Sequence, residues 1–226
     1  METIQDLGSY TFPSLLKNSL KKFASRPALA LIGQKEVTYA QLAQNSENVG
    51  RMLAALGLKP RSKIALYGTG RPEWGEAYFG IVNYGMTAVP LLPDFSPSEI
   101  EAILVHCGVD AIIVEEKLYS HIENIKNGMP SIVIEDFIHK PLPECNVSEE
   151  DTASIIYTSG TTGRSKGVEL THKNIVWTAV QGQTIHRVNK MDRCLSFLPL
   201  SHVYEFTIGF TMQMMNGSCV YYLGKP

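Results

Sequence analysis

Residues 157–167 read YTSGTTGRSKG, a run that interleaves hydroxyl side chains, glycines and one lysine. Gly160, Gly163 and Gly167 permit close backbone approach to a ligand, and successive backbone N–H groups in such a turn form an anion-binding nest. Thr158, Ser159, Thr161 and Thr162 add hydroxyl donors, and Lys166 adds a compact positive charge. This donor set suits phosphate oxygens. It is not the common NTPase loop, which requires G-x-x-x-x-G-K-[ST], because here Gly160 is followed by TTGRSKG. By composition alone the run also fits an ordinary Gly/Ser/Thr surface loop.

The elements that must position this loop alternate. Thr38 is placed to cap a helix whose apolar positions Tyr39, Leu42, Ala43, Val49 and Leu53 follow helical spacing. Lys63–Tyr67 reads as a buried strand, Gly68–Gly70 as the turn after it, and Pro72 as the first turn of a helix carrying Trp74, Ala77, Tyr78, Ile81 and Val82 inward. Val89–Leu92 is a short extended segment. Ser96, Pro97 and Glu99 combine a capping box with proline at the first helical position, and that helix ends at Gly108. Strands follow at 110–114 and 131–135, with a polar helix at 117–126 between them. Ala153–Tyr157 is the strand that enters the glycine-rich run, and Thr171 caps a helix through about Gly182. A strand at 193–198, a helix at 204–215 and a strand at 218–223 complete the pattern. Strands separated by helices of this length predict an α/β fold with layered, parallel-rich sheets flanked by helices. The two prolines and several acids of residues 138–151 predict a linker between a first α/β subdomain (1–137) and the start of a second (152–226).

The chain has 226 residues, is 44% hydrophobic and 19% charged, and carries a formal net charge of −2, which argues against a nucleic-acid partner. Its six histidines show no metal-ligand spacing. Four cysteines, Cys107, Cys145, Cys194 and Cys219, contain no C-x-x-C pair, a pattern suited to a reducing compartment and hence a cytoplasmic protein. No stretch approaches the roughly 20 apolar residues of a bilayer-spanning helix. Peripheral membrane contact stays open.

The order of the motifs is more specific than their composition. YTSGTTGRSKGV at 157–168, followed by ELTHKNI, closely resembles the signature loop of the adenylate-forming superfamily, which includes acyl-CoA synthetases, luciferases and the adenylation domains of peptide synthetases. Gly70–Trp74 with Ala77–Ile81 resembles that family's early helix, and Val89-Pro90-Leu91 with Pro93 its V-P-L-x-P turn. Leu198–Glu205 (LPLSHVYE) resembles its L-P-L-x-H motif, in the H-x-x-E form commonest among members that activate fatty acids. The loop departs from the pattern at Ser165, where the family usually has proline. That change removes a φ constraint and implies a looser loop.

The resemblance implies the N-terminal portion of an acyl-CoA synthetase large domain, most like a long-chain fatty acid–CoA ligase. Such enzymes join a carboxylic acid to ATP, releasing pyrophosphate, and then pass the acyl group from the adenylate to coenzyme A. It further implies that Thr158 lies nearest Mg²⁺, that Ser159, Gly160, Thr161, Thr162, Gly163 and Lys166 embrace the phosphates, and that His202 helps place the carboxylate near the α-phosphate. Glu205 faces the same region or takes a solvated or capping role. Tyr204, Phe206, Phe210, Met212, Met214 and Met215 line an apolar acyl tunnel or fill the core, and core filling is the stronger reading for each. The family's Y-G-x-T-E segment, its ribose-binding aspartate and its small C-terminal domain with the catalytic lysine are missing from these residues, so the chain alone is expected to be inactive. Two alternatives remain: an adenylation module feeding a carrier protein, and a stand-alone non-catalytic nucleotide- or lipid-binding protein.

Overall fold

The computed structural model describes residues 7–134, 145–158 and 166–223. In chain order it forms α1 (Phe12–Phe23), β1 (Pro27–Leu31), β2 (Val37–Thr38), α2 (Tyr39–Ala55), β3 (Lys63–Tyr67), α3 (Pro72–Asn83), β4 (Thr87–Leu91), α4 (Pro97–Cys107) and β5 (Ala111–Val114). A 3₁₀ turn (Glu116–Leu118) leads into the short α5 (Tyr119–Ile122) and then β6 (Ser131–Val133). The remainder is β7 (Thr152–Thr158), β8 (Lys166–Thr171), α6 (His172–Gly182), β9 (Arg193–Ser196), a π-helix (Glu205–Thr211), α7 (Met212–Asn216) and β10 (Cys219–Tyr222).

The expected helix starts form by local hydrogen bonding. The Thr38 hydroxyl accepts from the Gln41 N–H at 3.2 Å, and Gln41 Oε1 accepts in return from the Thr38 N–H at 2.9 Å. Ser96 with Glu99 and Thr171 with Asn174 repeat this reciprocal cap. Elements before residue 38, and β8 after the loop, are additions to the sequence reading. β8 pairs antiparallel to β7, so the chain does not pass from the loop directly into α6.

Six strands lie in the order β6-β5-β3-β4-β7-β8, parallel except for the β7–β8 hairpin. A second sheet has the order β2-β1-β10-β9, parallel except for β1–β2. Each sheet takes strands from both sides of residues 138–151, of which 138–144 lie outside the described residues. Pro90 sits within β4, beyond Ala88, the residue that pairs with Ser154 of β7, so its missing N–H breaks no ladder there.

α3 touches β1 of the smaller sheet and β3 and β4 of the larger one, so it is buried nearly all round, from Trp74 to Val82. A helix in that position needs no polar face. Its aromatic side chains form the centre of the core with Phe12, Phe206 and Phe210: Trp74 stacks on Tyr78 at 5.6 Å, and Phe206 lies 4.5 Å from Tyr78. Each such fully buried side chain contributes about 1.5–3 kcal/mol. On the opposite face of the six-stranded sheet, Ile100, Ile103, Leu104 and Cys107 of α4 cover Ala65, Tyr67, Val89 and Ile112.

Candidate functional site

The five parallel strands β3, β4, β5, β6 and β7 bring their carboxyl ends to one end of the six-stranded sheet, the usual location of ligand sites in open α/β folds. Thr158 is the last residue of β7 and Lys166 the first of β8, and they face each other across the hairpin as its final rung. Ser159, Gly160, Thr161, Thr162, Gly163 and Ser165 lie outside the described residues. Directly opposed residues in an antiparallel pair share a face, so the Thr158 hydroxyl and the Lys166 ammonium project together. Both are exposed, and Lys166 forms no ion pair among the described residues. A free cation beside a hydroxyl fits phosphate oxygens. Among the described residues no group of three or more His, Cys, Asp and Glu is arranged to hold a metal.

The same end of the sheet is braced by Glu115, which follows β5 and is 3% exposed. Its Oε2 accepts from the Thr69 N–H at 2.9 Å and the Thr69 hydroxyl at 2.8 Å, while Oε1 meets Arg71 at 3.1 Å and Lys117 at 2.7 Å. Burial works to raise this carboxyl, but Lys117 and the two Thr69 donors outweigh it and hold it below the usual carboxylate range. The network ties the β3–α3 turn to the end of β5. Glu115→Gln is expected to cost about 1.5 kcal/mol of unfolding free energy in urea titrations at pH 7. The loss should vanish as the pH falls through the native carboxyl's pKa, since the ionised form is what the native state favours.

His202 lies beyond the carboxyl end of β9, in the other sheet, and is exposed. Glu205, three residues on, is 5% exposed and turned inward. Its carboxyl is folded against Gly209: a Cβ there would stand 2.5 Å from Glu205 Oε1. That requirement for bare backbone coincides with the π-helix, where the sequence spacing predicts an α-helix. Burial raises the Glu205 carboxyl, against the opposing effects of Ser196 and His202, and Oε1 has no hydrogen-bond partner. Solvation of Glu205 is thereby ruled out. Phe206, Phe210, Met212, Met214 and Met215 are all core residues, whereas Tyr204 is exposed. The core reading therefore holds for five of the six tunnel candidates. All four cysteines are free, and burial raises each thiol, Cys219 to about 11.

A cavity of about 270 Å³ opens at the amino ends of β3, β4 and β7, away from Thr158. Arg61 and Lys63 there face Glu150, Asp151 and Glu169, so its charges offset one another rather than gathering one sign.

A family model described as AMP-binding enzyme matches residues 16–226, nearly the whole chain. The chain belongs to the AMP-binding enzyme family. Among curated AMP-binding relatives, long-chain-fatty-acid–CoA ligase 1 of Homo sapiens is 31% identical over 214 residues, covering 78% of this chain and 31% of that protein. Fatty acyl-CoA synthetase A of Dictyostelium discoideum is 26% identical over 224 residues, covering 84% of this chain and 33% of that protein. The chain thus spans about a third of the length of these relatives. A solved structure of the anthranilate CoA ligase AuaEII in complex with anthranoyl-AMP superposes with a TM-score of 0.87 at 28% identity, covering 99% of this chain and 46% of that one. The AMP-binding fold accounts for the parallel-rich layers and for the motif order. Within it, the sequence reading passed over three residues: Glu115, Tyr157 and His172. An acid directly after a buried strand, an aromatic at the base of the loop and a histidine at a helix start were the available signals. None of them is specific without its partner.

Proposed function

We propose that these residues form the phosphate-holding part of an ATP-dependent acid–thiol ligase that makes an acyl-adenylate and then a coenzyme A thioester. The observation that carries this reading is the rung of Thr158 and Lys166 at the carboxyl end of β7, an ammonium with no ion-pair partner among the described residues beside a hydroxyl. Lys166 would neutralise the β- and γ-phosphates as pyrophosphate departs, the electrostatic contribution on which such a step depends. The Thr158 hydroxyl would face Mg²⁺, which when bound supplies charge neutralisation at the phosphates. His202 would orient the carboxylate. Fatty acids are the substrate class supported by the H-x-x-E form of the LPLSHVYE motif and by the fatty-acid ligases among the relatives. The four free thiols support a cytoplasmic setting.

The chain alone is expected to bind pyrophosphate and ATP with magnesium by calorimetry, and to release no pyrophosphate when given ATP and a panel of fatty and aromatic acids. Failure to bind either anion would refute the phosphate site. Turnover at the rate of an intact synthetase would refute the expectation that residues beyond these 226 are required.

A further inference from the structure

Tyr157 stands one residue before the Thr158–Lys166 rung, and its own cross-strand partner is Gly167. Successive residues of a strand alternate between the faces of the sheet. Tyr157 and Gly167 therefore share one face, and Thr158 and Lys166 share the other. The face of Tyr157 is the one covered by α4, where its ring is buried with Ile100, Leu104 and Cys107.

The ring is held by two contacts at its hydroxyl end. A Cβ on Gly167 would lie 3.1 Å from Tyr157 Cζ and 3.3 Å from Cε2, so the ring rests on bare β8 backbone. The Tyr157 hydroxyl and His106 Nδ1 are hydrogen-bonded at 2.7 Å, and the two rings meet edge to face at 5.9 Å. His106 belongs to the last turn of α4, which Gly108 closes with φ 66°. β8 is the outermost strand of its sheet and pairs only with β7 among the described residues. Among the described residues no neighbouring strand on its other side steadies the final rung.

We propose that Tyr157 is a positioning residue for the phosphate site: gripped between Gly167 and His106, it fixes the rotation of the hairpin's end so that Thr158 and Lys166 are presented together. This rests on the assignment of those two residues as phosphate ligands. The physical reason is the two-residue period of a strand, by which a one-residue slip would turn every side chain to the opposite face. With the ring seated on the α4 side, Thr158 and Lys166 have only the other side to occupy.

Magnesium pyrophosphate titrated calorimetrically into the 226-residue chain and its variants tests this. Tyr157→Phe and His106→Ala are each expected to bind roughly three- to tenfold more weakly, the size of one hydrogen bond. The double variant should be no weaker than either single one, because both remove the same contact. His106→Asn, whose amide reaches the position of Nδ1, should restore affinity while His106→Ala does not. His106 is exposed, so the melting temperature of its variants should stay at that of the parent chain. Parent-like affinity in both Tyr157→Phe and His106→Ala overturns the clamp and leaves the phosphate site standing. Affinity that falls only in step with melting temperature overturns it as well. No binding by the unaltered chain overturns the phosphate site and the clamp together.

Discussion

Lys166→Met is expected to weaken binding of magnesium pyrophosphate ten- to a hundredfold, with the melting temperature unchanged. A hydrogen bond to a charged group is worth about 1.5–3 kcal/mol, and each 1.4 kcal/mol is about a factor of ten. Lys166 can supply that full amount because no carboxylate among the described residues competes for it. Its exposure means that truncation leaves no buried partner stranded, so stability should be indifferent. Thr158→Val, which removes a neutral donor, should cost only about fivefold. Lys173→Met is the control: that lysine already faces Glu149 and Glu150 at 3.8 and 3.3 Å, and its loss should leave affinity as it was. Raising salt should weaken the parent chain more than the Lys166 variant. Equal affinity in parent and Lys166→Met would remove the lysine from the phosphate site.

The second large effect concerns pH. His172 is buried, and its Nδ1 accepts a hydrogen bond from the Phe12 N–H at 3.2 Å, at the first turn of α1. A ring that accepts at Nδ1 carries its proton on Nε2, and that atom has no partner. Protonation at Nδ1 would set two donors against each other. Burial, opposed weakly by Asp151, accordingly pushes the imidazole from 6.5 down to about 4. Glu76 is the mirror case. It is buried in α3, bonded to Asn45 Nδ2 at 2.7 Å, and burial raises its carboxyl from 4.5 to about 7 against the opposing effect of Asn45.

The signs are opposite. The native state favours neutral His172, so that contribution is complete above 6.5 and drains away as pH falls toward 4. It also favours protonated Glu76, whose contribution is complete below 4.5 and drains away as pH rises through 7. Each displacement corresponds to about 3 kcal/mol. Between pH 4.5 and 6.5 the two slopes oppose one another in the parent chain. Measured as unfolding free energy relative to the parent, Glu76→Gln should gain as pH rises through that window. His172→Gln, which keeps an acceptor near the Phe12 N–H, should gain as pH falls. Variant and parent profiles that run parallel would show that these groups titrate alike in the folded and unfolded chain.

Helix starts were legible in the sequence because a capping box is a contact between residues three apart, complete within one turn of chain. The caps at Thr38, Ser96 and Thr171 all form as read. The order of the motifs was legible for a different reason. Each motif is confined to a single short segment, and the family model matches residues 16–226, which hold all of them. Strand β8 was not legible, because an edge strand with four exposed residues in succession carries neither alternation nor an apolar run. The π-helix escaped as well. It coincides with a carboxyl folded against Gly209, a contact within one turn that an α-helical spacing hides.

By itself, then, the sequence determined the α/β class, the helix starts and the order of the motifs, all of which follow from signals confined to short stretches of chain. Tertiary structure decided the rest. It set Lys166 across from Thr158 by making 166–171 a strand, and it drew Phe206, Phe210 and three methionines into the core. It also seated Tyr157 on Gly167 beneath His106, and buried Glu76 and His172 where each prefers its neutral form. Each of these outcomes depends on which residues far apart in the chain become neighbours. Burial and cross-strand register are the terms that choose a side chain's partner and its charge, and no local spacing encodes either one.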